Sequence, residues 1–349
     1  MSKPSVLVLG NLLDEAAEIL KVSASFLEHP RENAVAEAKL IELLDKKDAV
    51  ISEPLDHFTE NILDSCPDLK VIANRAVGFD NIDLEQASAR GILVTNTPGV
   101  LDAATADLAM ALMLAVTRRI VEADRYVREG KWQGFRSDLM LGPDLFGKTI
   151  GVIGMGRIGR AFAQRARAFG MKVIYCRFSA RDAKDDQLKE HLEAERVDLK
   201  MLLKESDFIS LHCPYSADTH HLIGATELSL MKPQAVLVNT ARGRVIDETA
   251  LVKHLEDRKI FGAGLDVFEN EPTLPDKLKK LDNVVLTPHI GSACFDTRKR
   301  MTMLAVESIK AAFQGKQPIH LLNPEAWDKF KQKTACPNPN PNPNQNQSR

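Results

Sequence analysis

Cysteine is scarce in this 349-residue chain, and the five present, Cys66, Cys176, Cys213, Cys294 and Cys336, are scattered, odd in number and never spaced C-x-x-C. No disulfide framework or zinc site follows from them, no metal is expected, and a reduced, cytoplasmic compartment fits best. An excess of either charge is also missing. Lys and Arg number 46 against 48 Asp and Glu, which leaves a net charge of −2; a nucleic-acid or membrane-surface binder would need a basic excess, so neither partner is expected. No apolar run approaches the length that crosses a bilayer. The segment Ser5-Val6-Leu7-Val8-Leu9-Gly10 after Met1-Ser2-Lys3-Pro4 reads as a first core strand, because a signal peptide would need a longer apolar region and a cleavage site. What is present is ordinary globular composition, 44% hydrophobic and 27% charged, in a length that suggests two domains.

The most informative stretch runs from Lys148 to Arg177. Thr149-Ile150-Gly151-Val152-Ile153 has the composition of a buried parallel strand. Gly154-Met155-Gly156-Arg157-Ile158-Gly159 then gives G-x-G-x-x-G, Arg160 to Phe169 reads as a helix closed by Gly170, and Met171 to Tyr175 resumes as a strand. The glycines thus sit at the first turn of a βαβ unit. Gly154 permits the tight turn, Gly156 lets a pyrophosphate approach the backbone, and Gly159 lets helix pack on strand. The helix N-terminus, at Arg157 and Ile158, offers N–H groups and a partial positive charge to the phosphates.

A further absence bears on which dinucleotide. An NAD site usually places Asp or Glu about twenty residues beyond the glycines, to accept from the ribose 2′-OH. Here the strand end reads Tyr175-Cys176-Arg177-Phe178-Ser179-Ala180-Arg181, with no carboxylate before Asp182. NADPH is therefore expected to be preferred, with Arg177 on the 2′-phosphate and Ser179 or Arg181 assisting; use of NAD as well stays open.

Residues 1 to about 100 alternate strand and helix patterns: strands at Val6 to Leu9, Ala49 to Ile51, Leu69 to Ala73 and Ile92 to Val94, helices at Leu12 to Leu20 and Val35 to Leu44. Loops after two of these strands, Ile51 to Leu55 and Asn74 to Asp83, are candidates for substrate contact, since ligands collect beyond the carboxyl ends of open sheets. Within them Val77 and Gly78 leave backbone N–H groups accessible to an anion, whereas Asp80 or Asp83 reads better as a helix cap. Ala103 to Arg119 reads as a long apolar helix continued by a second from Ile120 to Gly130, which suggests an interdomain spine or a dimer surface, the Ala/Met-rich face reading better as core. Strands return at Phe208 to Leu211, Ala235 to Asn239, Phe261 to Leu265 and Val284 to Leu286, and Ser292 to Gln314 reads as a long amphipathic helix. From Thr334 the chain is low in complexity and is expected to be disordered.

Three strings after strands carry chemistry: Asn239-Thr240-Ala241-Arg242-Gly243, Asp266-Val267-Phe268-Glu269-Asn270-Glu271-Pro272 and Thr287-Pro288-His289-Ile290-Gly291. All should project from the edge where the cofactor binds. Arg242 offers a bidentate fork to a carboxylate, His289 titrates near neutrality, and Glu271 can favour and orient the imidazolium. Each alone has a structural reading; the three together, after strands of one dinucleotide unit, favour a catalytic set.

With these strings and Gly78-Phe79-Asp80-Asn81-Ile82-Asp83 and Leu211-His212-Cys213-Pro214, the sequence resembles the D-isomer-specific 2-hydroxyacid dehydrogenase family across residues 1 to about 325. The resemblance implies two Rossmann-like, doubly wound α/β domains. A discontinuous substrate domain comes from residues 1–101 and 291–330, the NAD(P)-binding domain from 102–290, with a hinge between them and a homodimer made largely by 103–145. It implies that Arg242 binds the 2-oxo acid, His289 is the acid/base and Glu271 its partner, with Leu55, Val77 and Gly78 in the substrate pocket. Pocket shape would depend also on Arg75 and Phe295 of the same chain and on Met140 of the partner subunit. The expected cofactor set adds Thr105, Cys213, Pro214, Thr219, Thr240, Ala241, Arg242, Asp266, His289 and Gly291 to the glycine loop and Arg177.

Within the family, Glu271 disfavours formate, for which Gln stands at this place, and Ala76-Val77-Gly78 lacks the lysine of phosphite dehydrogenases. The chain is most similar to glyoxylate/hydroxypyruvate reductases, with 2-ketogluconate reductases as close neighbours. The expected reaction is hydride transfer to the carbonyl carbon of a small 2-oxo acid, with activity falling as His289 loses its proton. A dinucleotide-sensing scaffold like the corepressors that share this fold is the alternative of another class.

Overall fold

The β-branched runs seen in the sequence form parallel strands in the computed structural model, which describes residues 3–30, 35–178, 188 and 190–335. These fall into two compact units, Met1–Pro98 with Arg298–Arg349, and Gly99–Thr297. Each is a doubly wound sheet with helices and core on both faces.

In the first unit, β1 (Ser5–Leu9), β2 (Ser25–His29), β3 (Ala49–Ser52), β4 (Val71–Asn74) and β5 (Leu93–Thr95) lie in the order β2-β1-β3-β4-β5, all parallel. The central strands are fully buried, which is why they read as unbroken apolar runs. The edge strand β2 did not stand out in the sequence, because Ser25-Phe26-Leu27-Glu28-His29 is exposed or half-buried throughout. Asp83 caps the helix Leu84–Ala89 by accepting from Gln86 N, as expected. The long helix near the C-terminus spans Phe295–Phe313, and a last helix spans Trp327–Ala335. Two residues of the expected tail are therefore helical. The Thr334 hydroxyl donates to Phe330 O at 3.0 Å, and residues 336–349 lie outside the described residues.

The second unit orders β6 (Thr149–Ile153), β7 (Lys172–Cys176), β8 (Glu195–Arg196), β9 (Phe208–Leu211), β10 (Val236–Asn239), β11 (Gly262–Leu265) and β12 (Val284–Leu286) as β12-β11-β10-β9-β6-β7-β8, again all parallel. From β6 the chain winds outward to β8, then returns to β9 and winds the other way. The switch point lies between β6 and β9, where an open sheet leaves a crevice at its carboxyl edge.

By packing, the two units divide after Pro98 and at Thr297. The helix Asp102–Thr117 belongs wholly to the second unit, its Leu112 close against Gly264 of β11, so the turn before it goes with it. At the other crossing Gly291 N donates to Asp266 Oδ2 at 2.8 Å and ties the start of the return segment to the second unit. The Ala- and Met-rich face of Asp102–Thr117 is core, with Ala106, Ala109, Met110 and Met113 buried. Among the described residues no helix is long and apolar enough to cross a membrane.

Candidate active site

At the switch point the glycine loop leaves β6. Gly154 adopts φ +95°, and a Cβ there would stand 2.5 Å from Cys213 N, so only glycine lets the loop pass beside the end of β9. Gly156 has no atom within 4 Å of an added Cβ and is exposed, which leaves open space over the backbone where a phosphate could approach. At Gly159 a Cβ would overlap the Gly154 carbonyl oxygen, the close helix–strand contact expected of the third glycine. The helix Arg157–Ala168 starts here. Arg157 is half-exposed and pairs with Asp102 at 3.3 Å, while Ile158 is half-buried.

Two buried polar atoms along this edge have no protein partner, Thr240 Oγ1 after β10 and His212 Nδ1 after β9. A ligand rich in donors and acceptors would satisfy such atoms. Burial pushes His212 down to about 3, so its ring is neutral over the working range; Nε2 lies 2.9 Å from Ser210 Oγ. These features fit a dinucleotide.

The loop after β12 carries His289 in the left-handed region, φ +51°. Its backbone N–H donates to Asp266 O at 2.9 Å and Thr287 O at 3.1 Å. Asp266, buried at the end of β11, spends both carboxylate oxygens on this loop. Oδ1 accepts from Thr287 Oγ1 at 2.7 Å and Ile290 N at 2.8 Å, and Oδ2 from Gly291 N at 2.8 Å. Burial nonetheless raises the Asp266 carboxyl above its ordinary range, outweighing those donors. His289 Nδ1 meets Glu271 Oε2 at 2.7 Å, and Glu271 Oε1 accepts from Phe268 N at 2.9 Å. A ring held at Nδ1 by a carboxylate has Nε2 as the nitrogen available to a substrate. The Glu271 side chain is 12% exposed and that of His289 27%, so the pair is sheltered but reachable.

The family model described as the NAD binding domain of D-isomer specific 2-hydroxyacid dehydrogenases matches residues 110–291. A glyoxylate reductase of Thermococcus litoralis is 51% identical over 290 residues, 82% of this chain and 86% of that protein. The chain belongs to the D-isomer specific 2-hydroxyacid dehydrogenase family. A solved structure from Thermus thermophilus superposes with a TM-score of 0.84 at 42% identity, covering 91% of this chain and 99% of that one. An NADPH-dependent glyoxylate/hydroxypyruvate reductase of Sinorhizobium meliloti, solved with NADP and malonate, gives 0.80 at 34%, covering 93% and 98%. Membership makes this chain an NAD(P)-dependent oxidoreductase.

In this dehydrogenase Arg242 stands on a turn that Asn239 builds. The Asn239 side chain accepts from Ala241 N at 3.0 Å and donates to Arg242 O at 2.9 Å, a role the sequence alone did not suggest. Gly243 follows because a Cβ there would overlap the Phe268 carbonyl, so the Arg242 turn and the Glu271 loop lie backbone to backbone. Gly291, Thr105 and Asp266 meet, an added Cβ on Gly291 lying 3.4 Å from the Thr105 side chain and 3.3 Å from Asp266 Oδ2. Cys213 is buried and Pro214 exposed. Thr219 is taken up by its own turn, its hydroxyl donating to Pro214 O at 2.8 Å and accepting from Ser216 N at 2.8 Å.

Arg177 comes directly after β7, half-buried, and Arg196 of the edge strand β8 donates through Nη2 to its carbonyl at 3.1 Å. A two-residue polar strand such as Glu195–Arg196 carries no sequence pattern. Ser179 and Arg181 lie outside the described residues. In the first unit Leu55 is half-buried after β3. The carbonyls of Ala76 and Val77 are held by Thr97 N at 2.8 Å and Asn96 Nδ2 at 2.8 Å. Trans peptides then point the N–H groups of Val77 and Gly78 away from those bonded carbonyls.

Proposed function

We propose that this chain reduces glyoxylate and hydroxypyruvate to glycolate and D-glycerate with NADPH. The observation that carries the reading is the His289–Glu271 pair at 2.7 Å, with Nε2 turned from the carboxylate and Arg242 on the adjoining turn. NADPH, when bound, supplies the hydride. Arg242 takes the substrate carboxylate in its fork, which fixes the 2-oxo carbon. His289 gives its Nε2 proton to the carbonyl oxygen as negative charge develops there, and Glu271 stabilises the imidazolium before transfer and keeps the ring's orientation. Names of the relatives support the substrate class: several are glyoxylate reductases.

Preference for NADPH rests on the absence of a carboxylate at the end of β7 and on Arg177 standing there beside Arg196. Comparison of kcat/KM with the two cofactors tests it. Arg177→Ala should cost roughly 1.5–3 kcal/mol of NADPH binding, the worth of a charge-assisted bond, and leave NADH unaffected. Equal losses with both would oppose the assignment.

A homodimer through residues 103–145 is part of the same reading. Helix Ile120–Arg128 has no buried residue, and Ile120, Val127, Trp132, Phe135, Leu141 and Phe146 are large apolar side chains more than half exposed. An apolar band of that kind on one segment fits an interface better than free surface.

A further inference from the structure

A second histidine–glutamate pair stands beside the first. His221 Nε2 meets Glu269 Oε1 at 2.8 Å, and Glu269 is two residues before Glu271. The main chain of the same histidine is bound elsewhere. His221 adopts φ +49° and donates its N–H to Arg244 O at 2.9 Å. Ile223 N continues the join to Val245 O at 3.1 Å, and Ile223 bridges Ile246 in parallel. One residue therefore grips the Arg242 turn with its backbone and the Glu271 loop with its side chain. The His220 ring stacks on it, centroids 4.0 Å apart, and His220 is held in turn by the Tyr215 hydroxyl at 3.4 Å.

The loop it grips has other anchors as well: Phe268 is buried in the core, Arg244 Nε donates to Glu269 O at 3.5 Å, and Asn270 bridges Thr273. Glu269 N reaches Glu248 Oε1 at a long 3.4 Å, and Gly243 supplies backbone packing without a side chain. Burial raises the Glu248 carboxyl above its ordinary range, and the nearby Glu269 and Glu271 carboxylates add to the rise, which places three carboxyl groups around one short loop. Phe268 N and Glu269 N donate to two of them, Arg244 Nε reaches the Glu269 carbonyl, and the His221 ring meets the Glu269 carboxylate. The His221 and Glu269 side chains are 35% and 24% exposed; a pair so open to water adds little to overall stability, so its effect should fall on local geometry.

We propose that His221, through Glu269, is a positioning residue that holds the Glu271 loop in register with the Arg242 turn. This rests on the reductase reading above. A misplacement of Glu271 by a fraction of an ångström would disturb the His289 ring and slow proton transfer without touching cofactor binding.

The test is a double-mutant cycle on the full chain with NADPH and glyoxylate. His221→Ala should lower kcat by about tenfold, a part of the roughly 10²–10⁴ that a positioned acid supplies, with NADPH affinity unchanged. His221→Gln, which keeps an N–H donor for Glu269, should recover part of it. In a Glu271→Gln background His221→Ala should add no further loss, because both changes act through one group. Unchanged kcat, or a full tenfold loss in that background, would overturn the proposal.

Amide hydrogen exchange gives a reading independent of turnover. The Phe268 amide, bonded to Glu271 Oε1, should exchange faster in His221→Ala than in the wild-type chain; equal rates would also overturn the clamp. A wild-type chain that reduces no 2-oxo acid would instead refute the reductase reading, and exchange would still decide whether His221 holds the loop.

Discussion

His289, Glu271 and Gly243 show how much rests on single positions in this dehydrogenase. Glu271 fixes the His289 ring at Nδ1, so His289→Ala should lower kcat by about 10²–10⁴ while NADPH binding stays intact; stopped-flow turnover and cofactor fluorescence separate the two, and near-wild-type kcat would contradict the role. Gly243→Ala would press a methyl into the Phe268 carbonyl, two backbones that cannot yield cheaply. Overpacking of that kind costs about 1–3 kcal/mol, so urea denaturation should show a lowered midpoint and the variant should lose activity. At this scale the sequence made residue types and order visible, which is why Arg242, Glu271 and His289 could be grouped. It could not show what holds them. Asp266 is an example: its carboxylate accepts from Thr287, Ile290 and Gly291, a partnership across up to 25 residues that no local pattern contains.

At the scale of elements, buried parallel strands were legible because burial on both faces leaves an unbroken apolar run. Edges were not. β2 mixes Ser, Glu and His with two apolar residues, and β8 is Glu195–Arg196 alone, so neither departs from loop composition. Short helices such as Glu60–Ser65 and Leu84–Ala89 span too few turns for a period to emerge. The end of β9 makes a prediction about pH. His212 is held neutral by burial with its folded-state value near 3 against an ordinary 6.5. The unfolded chain therefore binds a proton that the native chain refuses as pH falls below about 6.5, and stability is lost by about 1.4 kcal/mol per pH unit toward 3. Above 6.5 this contribution is fully present. Urea unfolding between pH 4 and pH 7, values chosen to span roughly that window, should show a steeper fall for wild type than for His212→Asn. Parallel slopes would mean that His212 titrates normally.

For the whole molecule, the two sheets follow from alternating patterns in the two halves, whereas the return of the chain end to the first unit was implied by the family resemblance and not by pattern. The apolar band from Ile120 to Phe146 predicts a dimer. Phe135→Glu with Trp132→Glu should shift sedimentation toward monomer at micromolar concentration, and an unchanged dimer, or a wild-type monomer, would remove that role. The most direct measurement is loss of reduced-nicotinamide absorbance when the purified chain meets NADPH or NADH with glyoxylate, hydroxypyruvate, pyruvate and 2-ketogluconate. Rapid oxidation of NADPH with glyoxylate or hydroxypyruvate, slower with NADH, is the expected result. Tight NADPH binding with no turnover on any of the four would contradict it.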